Sequence, residues 1–269
     1  MISRGAITCA ISAACVTGGA LLAATTMAGP DKIAFPEGFE KGVLYATVDR
    51  YDIKQHRELY STPEAVKAVR EGRPIPSGTV LTLVQYQAQT DPQGNPTKGP
   101  DGKFVKGKLL GYTVMEKRKG WGAEYPAEWR NGEWEYAAFT VDKKPNEKAN
   151  ANAKNCFVCH KPHEKQDFVI SLASLAGKFP GATVAKKTGL FDVNIASFVF
   201  GPTKASVPAG KAVTWTNIDD SPHQISVKGQ PKTAVLLKGQ SASLTFDQPG
   251  LFDYICSLHP GMKGQVEVK

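Results

Sequence analysis

Residues 250–268 read GLFDYICSLHPGMKGQVEV. An apolar, aromatic run ends on Cys256, a tight Ser-Leu-His-Pro-Gly turn follows, and a second alternating run occupies Gln265 to Val268. Two strands joined by such a turn aim Cys256, His259 and Met262 at one place, with the spacing C-x2-H-x2-M. A second imidazole is available upstream in NIDDSPHQISV, where His223 precedes another strand-like run. Two His and one Cys in a trigonal plane with a weak axial Met form the type 1 copper set. The competing reading makes Cys256 a small buried hydrophobe and Met262 core filler. It leaves the order and spacing of four donor types unexplained.

Around this loop the chain keeps the same texture. Residues 212–216, 224–227, 241–246, 252–255 and 265–268 alternate between apolar and polar, with Pro and Gly between them. Ala242, Leu244 and Phe246 fall on one face, and Ser241, Ser243 and Thr245 on the other. This predicts a Greek-key β-sandwich or barrel over residues 188–269.

Further upstream stands Cys156-Phe157-Val158-Cys159-His160. Two thiols three positions apart can form thioethers with the vinyl groups of one haem while the adjacent imidazole faces the iron. A disulfide or half of a zinc site would use the same cysteines, but for zinc only His163 lies nearby. The expectation is a covalent c-type haem with His160 as proximal ligand. Met115, His56 and His163 remain for the opposite side. His163 is too near His160 in sequence to reach it, and the other two read as ordinary residues. An open position, five-coordinate or water-bound, is expected there.

The segment before this motif mixes strands and short helices. Residues 42–50, 78–89, 108–116 and 133–141 read as antiparallel strands, and 91–102 as a turn-rich connection. Thr62-Pro63-Glu64 opens a short helix that Gly72 closes. A solvated loop over 142–154 leads to Cys156, and 168–176 reads as a further short helix. The fold expected for the whole is mainly β, an α+β haem domain on an antiparallel sheet followed by the sandwich.

Residues 1–28 carry one charge, Arg4, then an apolar and small-residue run ending in Thr26-Met27-Ala28. This reads as a secretory signal peptide, with an uncleaved anchor as the alternative. The boundaries that follow are a haem domain over 29–172, a linker over 173–187 and the copper domain over 188–269. Net charge is +8 in 269 residues, with 41% hydrophobic and 22% charged, and the basic residues are scattered. That argues against disorder, a polytopic membrane protein and nucleic-acid binding. After cleavage no membrane association is expected.

Residues 35–172 resemble the cytochrome P-460 and cytochrome c′-beta family through FPEGFEKGVLYATVDR, HRELYSTPEAV, IPSGTVLTLV, GYTVMEKRKGWGAEYP, NGEWEYAAFT and CFVCHKPHEKQDFV. The resemblance implies a distal-pocket arginine at Arg57 and a distal carboxylate at Glu116, which could stabilise negative charge on a ligand and accept its protons. From the residues alone, a surface ion pair is the plainer reading of these two. Hydroxylamine-oxidising members also tie a lysine to the haem, but the matching position here is Leu83, so no such cross-link is expected. Residues 188–269 resemble the cupredoxins, amicyanin and pseudoazurin above all, through VTWTNIDDSPHQISV and GLFDYICSLHPGMKGQVEV.

Ligand supply limits the function. With His160, His223 and His259 assigned, only His56 and His163 remain. That is too few for a trinuclear copper cluster, which takes roughly eight, or for a copper nitrite reductase. All three mature cysteines serve cofactors, so no disulfide is expected. The expected protein is an exported, periplasmic two-centre redox protein with one haem and one copper. It would act on nitric oxide or hydroxylamine and exchange electrons with periplasmic redox proteins. A pure electron carrier without catalysis, or a copper-holding protein, would use the same motifs.

Overall fold

The computed structural model describes residues 32–177 and 191–269; the expected leader and most of the expected linker lie outside them. The first domain is built on strands β1 (Val43–Arg50) and β2 (Gln55–Ser61), helix α1 (Pro63–Arg70), and strands β3 (Val80–Ala88), β4 (Lys106–Lys117) and β5 (Trp134–Phe139). The strands form one antiparallel meander in sequence order. Helices α2 (Glu147–Asn150), α3 (Lys154–His160) and α4 (Leu172–Leu175) follow, with a 3-10 stretch over Lys161–Gln166.

Both faces of this sheet carry apolar residues because successive side chains point opposite ways. On one face Tyr45, Leu81, Met115, Trp134 and Tyr136 pack with Val66 of α1, Phe157 of α3 and Leu175 of α4. On the other, Val84, Tyr112, Val114, Ala137 and Phe139 pack with Ile33, Phe35 and Phe39.

The sequence reading placed no strand at residues 55–61, yet β2 sits inside the sheet between β1 and β3. Its buried residues include His56 and Glu58, which gave it little apolar signal. Partners across the sheet satisfy both: His56 Nδ1 lies 2.7 Å from Asp49, and Lys106 donates to Glu58 at 2.8 Å. The loop expected over 142–154 contains α2, where Asn146 accepts from the Ala149 N–H as a cap. Thr62 does stand at the N-cap of α1 before Pro63, although its side chain makes no capping bond.

The second domain packs two four-stranded sheets face to face. Strands β6 (Asp192–Ala196), β7 (Val199–Gly201), β8 (Lys204–Val207), β9 (Lys211–Asn217), β10 (Ile225–Val227), β11 (Ser241–Phe246), β12 (Gly250–Cys256) and β13 (His259–Val268) run in the orders β10-β12-β13-β8 and β11-β9-β6-β7. Val193, Ile195, Val213, Trp215, Tyr254 and Val266 fill the space between them. Gly264 on β13 lies against the Tyr254 ring, which a Cβ at that position would overlap. The domains touch where the β1–β2 hairpin meets the second domain: Val48 packs against its core, and the Tyr51 N–H donates to the Ser197 carbonyl at 3.4 Å.

Leu175 falls in the stretch expected as linker, yet it is wholly buried in the first domain's core. Leu175→Ala should therefore lower that domain's unfolding stability by about 2–5 kcal/mol in chemical denaturation. Exposed Ala173→Ser should change it by less than about 0.5 kcal/mol.

Candidate metal centres

Helix α3 places Cys156, Cys159 and His160 at i, i+3 and i+4, on one helical face. All three line a cavity of about 790 Å³, walled on its other side by the sheet residues Arg57, Leu59, Leu81, Leu83 and Met115. His160 Nδ1 lies 2.7 Å from the Phe168 carbonyl oxygen. A carbonyl only accepts, so Nδ1 carries the proton and Nε2 keeps its lone pair for a metal. Burial pushes His160 down to about 4, which keeps the ring neutral.

The Phe168 carbonyl is delivered by a strained turn. Asp167 and Phe168 both adopt positive φ, at 50° and 60°, a conformation that costs a bulky residue about 1–3 kcal/mol. Lys117 holds the Asp167 carboxylate at 2.7 Å, Trp134 Nε1 donates to it at 3.3 Å, and the Phe168 N–H donates to the His163 carbonyl. Tyr136 packs against the His160 ring, with centroids 4.9 Å apart.

These residues fit a haem. The volume lies within the range of small-molecule and cofactor sites, about 300–1,000 Å³. Two thiols and a lone-pair imidazole share one wall, and the facing wall is largely leucine. Zinc fits poorly, since among the described residues no His, Cys, Asp or Glu joins Cys156 and Cys159 in a metal-sized cluster.

Other expected site residues divide. Arg57 lines the cavity, and its Nε and Nη2 donate to Gln55 at 3.2 and 3.0 Å. No carboxylate among the described residues lies within ion-pair distance of it. Burial, then the neighbouring Arg50 charge, bring its guanidinium down to about 10, still cationic at neutral pH. Glu116 does not reach the cavity. It follows Met115 in β4 and so points to the opposite face, where Arg118 Nε donates to it at 2.5 Å. The expected distal role for Glu116 is corrected accordingly. Leu83 stands in the cavity wall, at the position where the resemblance required a lysine. His56 and His163 do not line the cavity; Met115 does, paired across strands with Tyr136 beside His160.

In the second domain, Cys256 ends β12 and His259 begins β13. Cys256 Sγ lies 3.6 Å from Nδ1 of His223 and 3.6 Å from Nδ1 of His259, and the two imidazole nitrogens are 3.3 Å apart. Met262, on β13, is buried in the same core as Cys256. Burial would raise the Cys256 thiol, yet His223 and the Gln224 N–H outweigh it and pull the thiol below its ordinary value. A thiolate, two imidazoles and a neighbouring thioether match copper rather than a hard cation.

The Cytochrome P460 family model matches residues 36–171, and the model for copper binding proteins of the plastocyanin/azurin family matches 187–269. The chain belongs to the cytochrome P460 family, with a cupredoxin domain fused to it. That second domain is similar to amicyanin-alpha of Methylorubrum extorquens, 37% identical over 103 residues, covering 36% of this chain and 87% of amicyanin-alpha. It is also similar to amicyanin of Paracoccus denitrificans, 33% identical, covering 36% and 79%. A solved purple cupredoxin from Nitrosopumilus maritimus is 27% identical with a TM-score of 0.28, covering 29% of this chain and 98% of that one. A haem-binding P460 domain and a blue-copper cupredoxin in one chain make a two-centre electron-transfer protein.

Asp219 is a residue the sequence reading passed over. Its Oδ2 lies 3.0 Å from His223 Nε2, which leaves Nδ1 of that ring free for metal. Its two oxygens also accept from the N–H groups of Ser197 at 2.5 Å and Phe198 at 2.9 Å. The signal available was an acidic residue four positions before a ligand histidine. Asp219→Ala should weaken copper retention against a chelator by about 10- to 100-fold, the usual effect of losing a carboxylate behind a ligand histidine.

Proposed function

We propose that this is an exported redox protein whose P460 domain binds or converts a small nitrogen species, nitric oxide or hydroxylamine, while its cupredoxin domain relays electrons. In this reading a c-type haem is attached through Cys156 and Cys159 with His160 toward the iron. One type 1 copper is held by His223, Cys256, His259 and Met262. The observation that carries the reading is the shared cavity, lined by Cys159 and His160 from one domain and by His259 from the other. When bound, the two groups supply one-electron centres, and an iron with an open position takes a small ligand.

The chain's own residues favour ligand binding over proton-coupled oxidation. Oxidising hydroxylamine removes protons as well as electrons, and Glu116 lies on the wrong face to accept them. Asp49, which does line the cavity, is already committed to His56 and to the Phe104 N–H. Arg57, a cation without a carboxylate partner, can donate to a ligand that gains negative charge. These features favour nitric oxide.

Export belongs to the same reading, with residues 1–28 as its leader, the periplasm as its location and periplasmic redox proteins as its partners. No helix among the described residues is long and apolar enough to cross a membrane.

The reduced protein should bind nitric oxide, seen as a shift of the haem absorption on titration. Arg57→Ala should loosen that binding by about 10- to 100-fold, the equivalent of one charge-assisted hydrogen bond of about 1.5–3 kcal/mol. Failure of the wild type to bind would leave the pure electron carrier as the better reading. For the relay, flash reduction of one centre should be followed by its reoxidation, matched electron for electron by reduction of the other. The rate should not change on diluting the protein; a rate that falls with dilution would reject an internal relay.

A further inference from the structure

The inference concerns how the two domains are joined, and it rests on the relay reading above. A tether alone would keep them near each other without fixing which surfaces meet. The structure shows a specific contact, centred on the turn Ser197-Phe198 between β6 and β7. Both residues of this turn adopt positive φ, at 51° and 60°, and the Asp219 carboxylate pins it through both N–H groups. Phe198 is buried, and its ring stands edge-on to both copper imidazoles, 5.4 Å from His223 and 4.9 Å from His259. Asp219 therefore holds a copper ligand and the contact turn in one frame.

The haem domain grips the same ring. The Arg50 guanidinium lies 3.9 Å from the Phe198 centroid, within cation–π range. Asp52 holds that guanidinium by two parallel bonds, from Nε at 2.8 Å and from Nη2 at 2.5 Å. The fork is thereby flat and pre-oriented before the other domain arrives. Beside it, Gly261 of the copper loop packs so closely that a Cβ there would lie 3.0 Å from the Asp52 carbonyl oxygen. Its three nearest neighbours are all atoms of Asp52, so this glycine's small size serves the interface.

We propose that Arg50, braced by Asp52 and laid on Phe198, is the positioning residue of a fixed interdomain dock that holds the His259 edge of the cupredoxin against the haem cavity. Arg50 carries no electron. It determines which face of the copper domain the haem meets.

The test uses the full haem- and copper-loaded protein with a specific protease site inserted between residues 178 and 190. After cleavage, the wild-type halves should co-elute on size exclusion at micromolar concentration, and exchange between centres should stay independent of dilution. Arg50→Glu should weaken the association by at least about tenfold and make exchange concentration-dependent, while both absorption spectra stay intact. Arg50→Lys, which keeps the charge but loses the fork, should fall between them. Gly261→Leu should part the halves from the cupredoxin side, so the result does not depend on one variant folding. Wild-type halves that separate on cleavage, or variant halves that stay together, would overturn the dock. Co-elution needs no electron transfer: docked halves without exchange would instead reject the relay and leave the dock standing.

Discussion

The hydrogen bond from His160 Nδ1 to the Phe168 carbonyl sets the chemistry of the haem domain. It fixes the tautomer, so the nitrogen with a lone pair is the one left to face the cavity. It also fixes the ring plane, because Tyr136 packs against the same imidazole. The bond is supplied by a turn whose two residues sit in left-handed conformations, and that strain has to be offset locally. Lys117 and Trp134, on the sheet that floors the domain, hold Asp167 in place. The segment after the Cys-x2-Cys-His helix is thus tied back to the core.

The copper site meets the same requirement by other means. Its second imidazole, His223, is wholly buried, and a carboxylate rather than a carbonyl takes its outer proton. Asp219 can do this because its remaining capacity is used by two backbone N–H groups, so it is neither free nor unsatisfied. The two centres therefore differ in reach. The carbonyl behind His160 belongs to a turn of its own domain, whereas the carboxylate behind His223 also shapes the turn that meets the other domain.

The sequence disclosed these centres unevenly. The ligand set was readable because metal chemistry demands particular donor atoms at short spacing, as in Cys156 to His160 and Cys256 to Met262. Strands with one apolar face, such as Ser241–Phe246, were readable for a similar reason: burial imposes a period. Strand β2 was not, because its buried positions carry His56 and Glu58, whose partners Asp49 and Lys106 lie on other strands. Glu116 misled in the opposite direction. A motif can align a carboxylate with a pocket, but one step along a strand reverses the side chain, and only the fold shows which face is the pocket. Arg50 and Phe198 left no local mark at all, since each has meaning only through the other domain.

The polar cluster at the end of β1 and β2 shows what such unmarked residues do. Charged groups withdrawn from water add little net stability even when paired, but they penalise any arrangement that leaves them unpaired. Arg50 with Asp52, and Asp49 with His56, are arranged at the one edge of the sheet where the second domain lands. A purely apolar edge would accept that domain in many orientations. This edge accepts a ring carried beside the copper ligands. His259 is the half-exposed imidazole of the copper site, and the surface around it faces the haem cavity of the same chain. A separate redox protein approaching copper through His259 must compete with the chain's own haem domain for that surface. The covalent partner holds the advantage of proximity, because it is present at high effective concentration whatever the dilution.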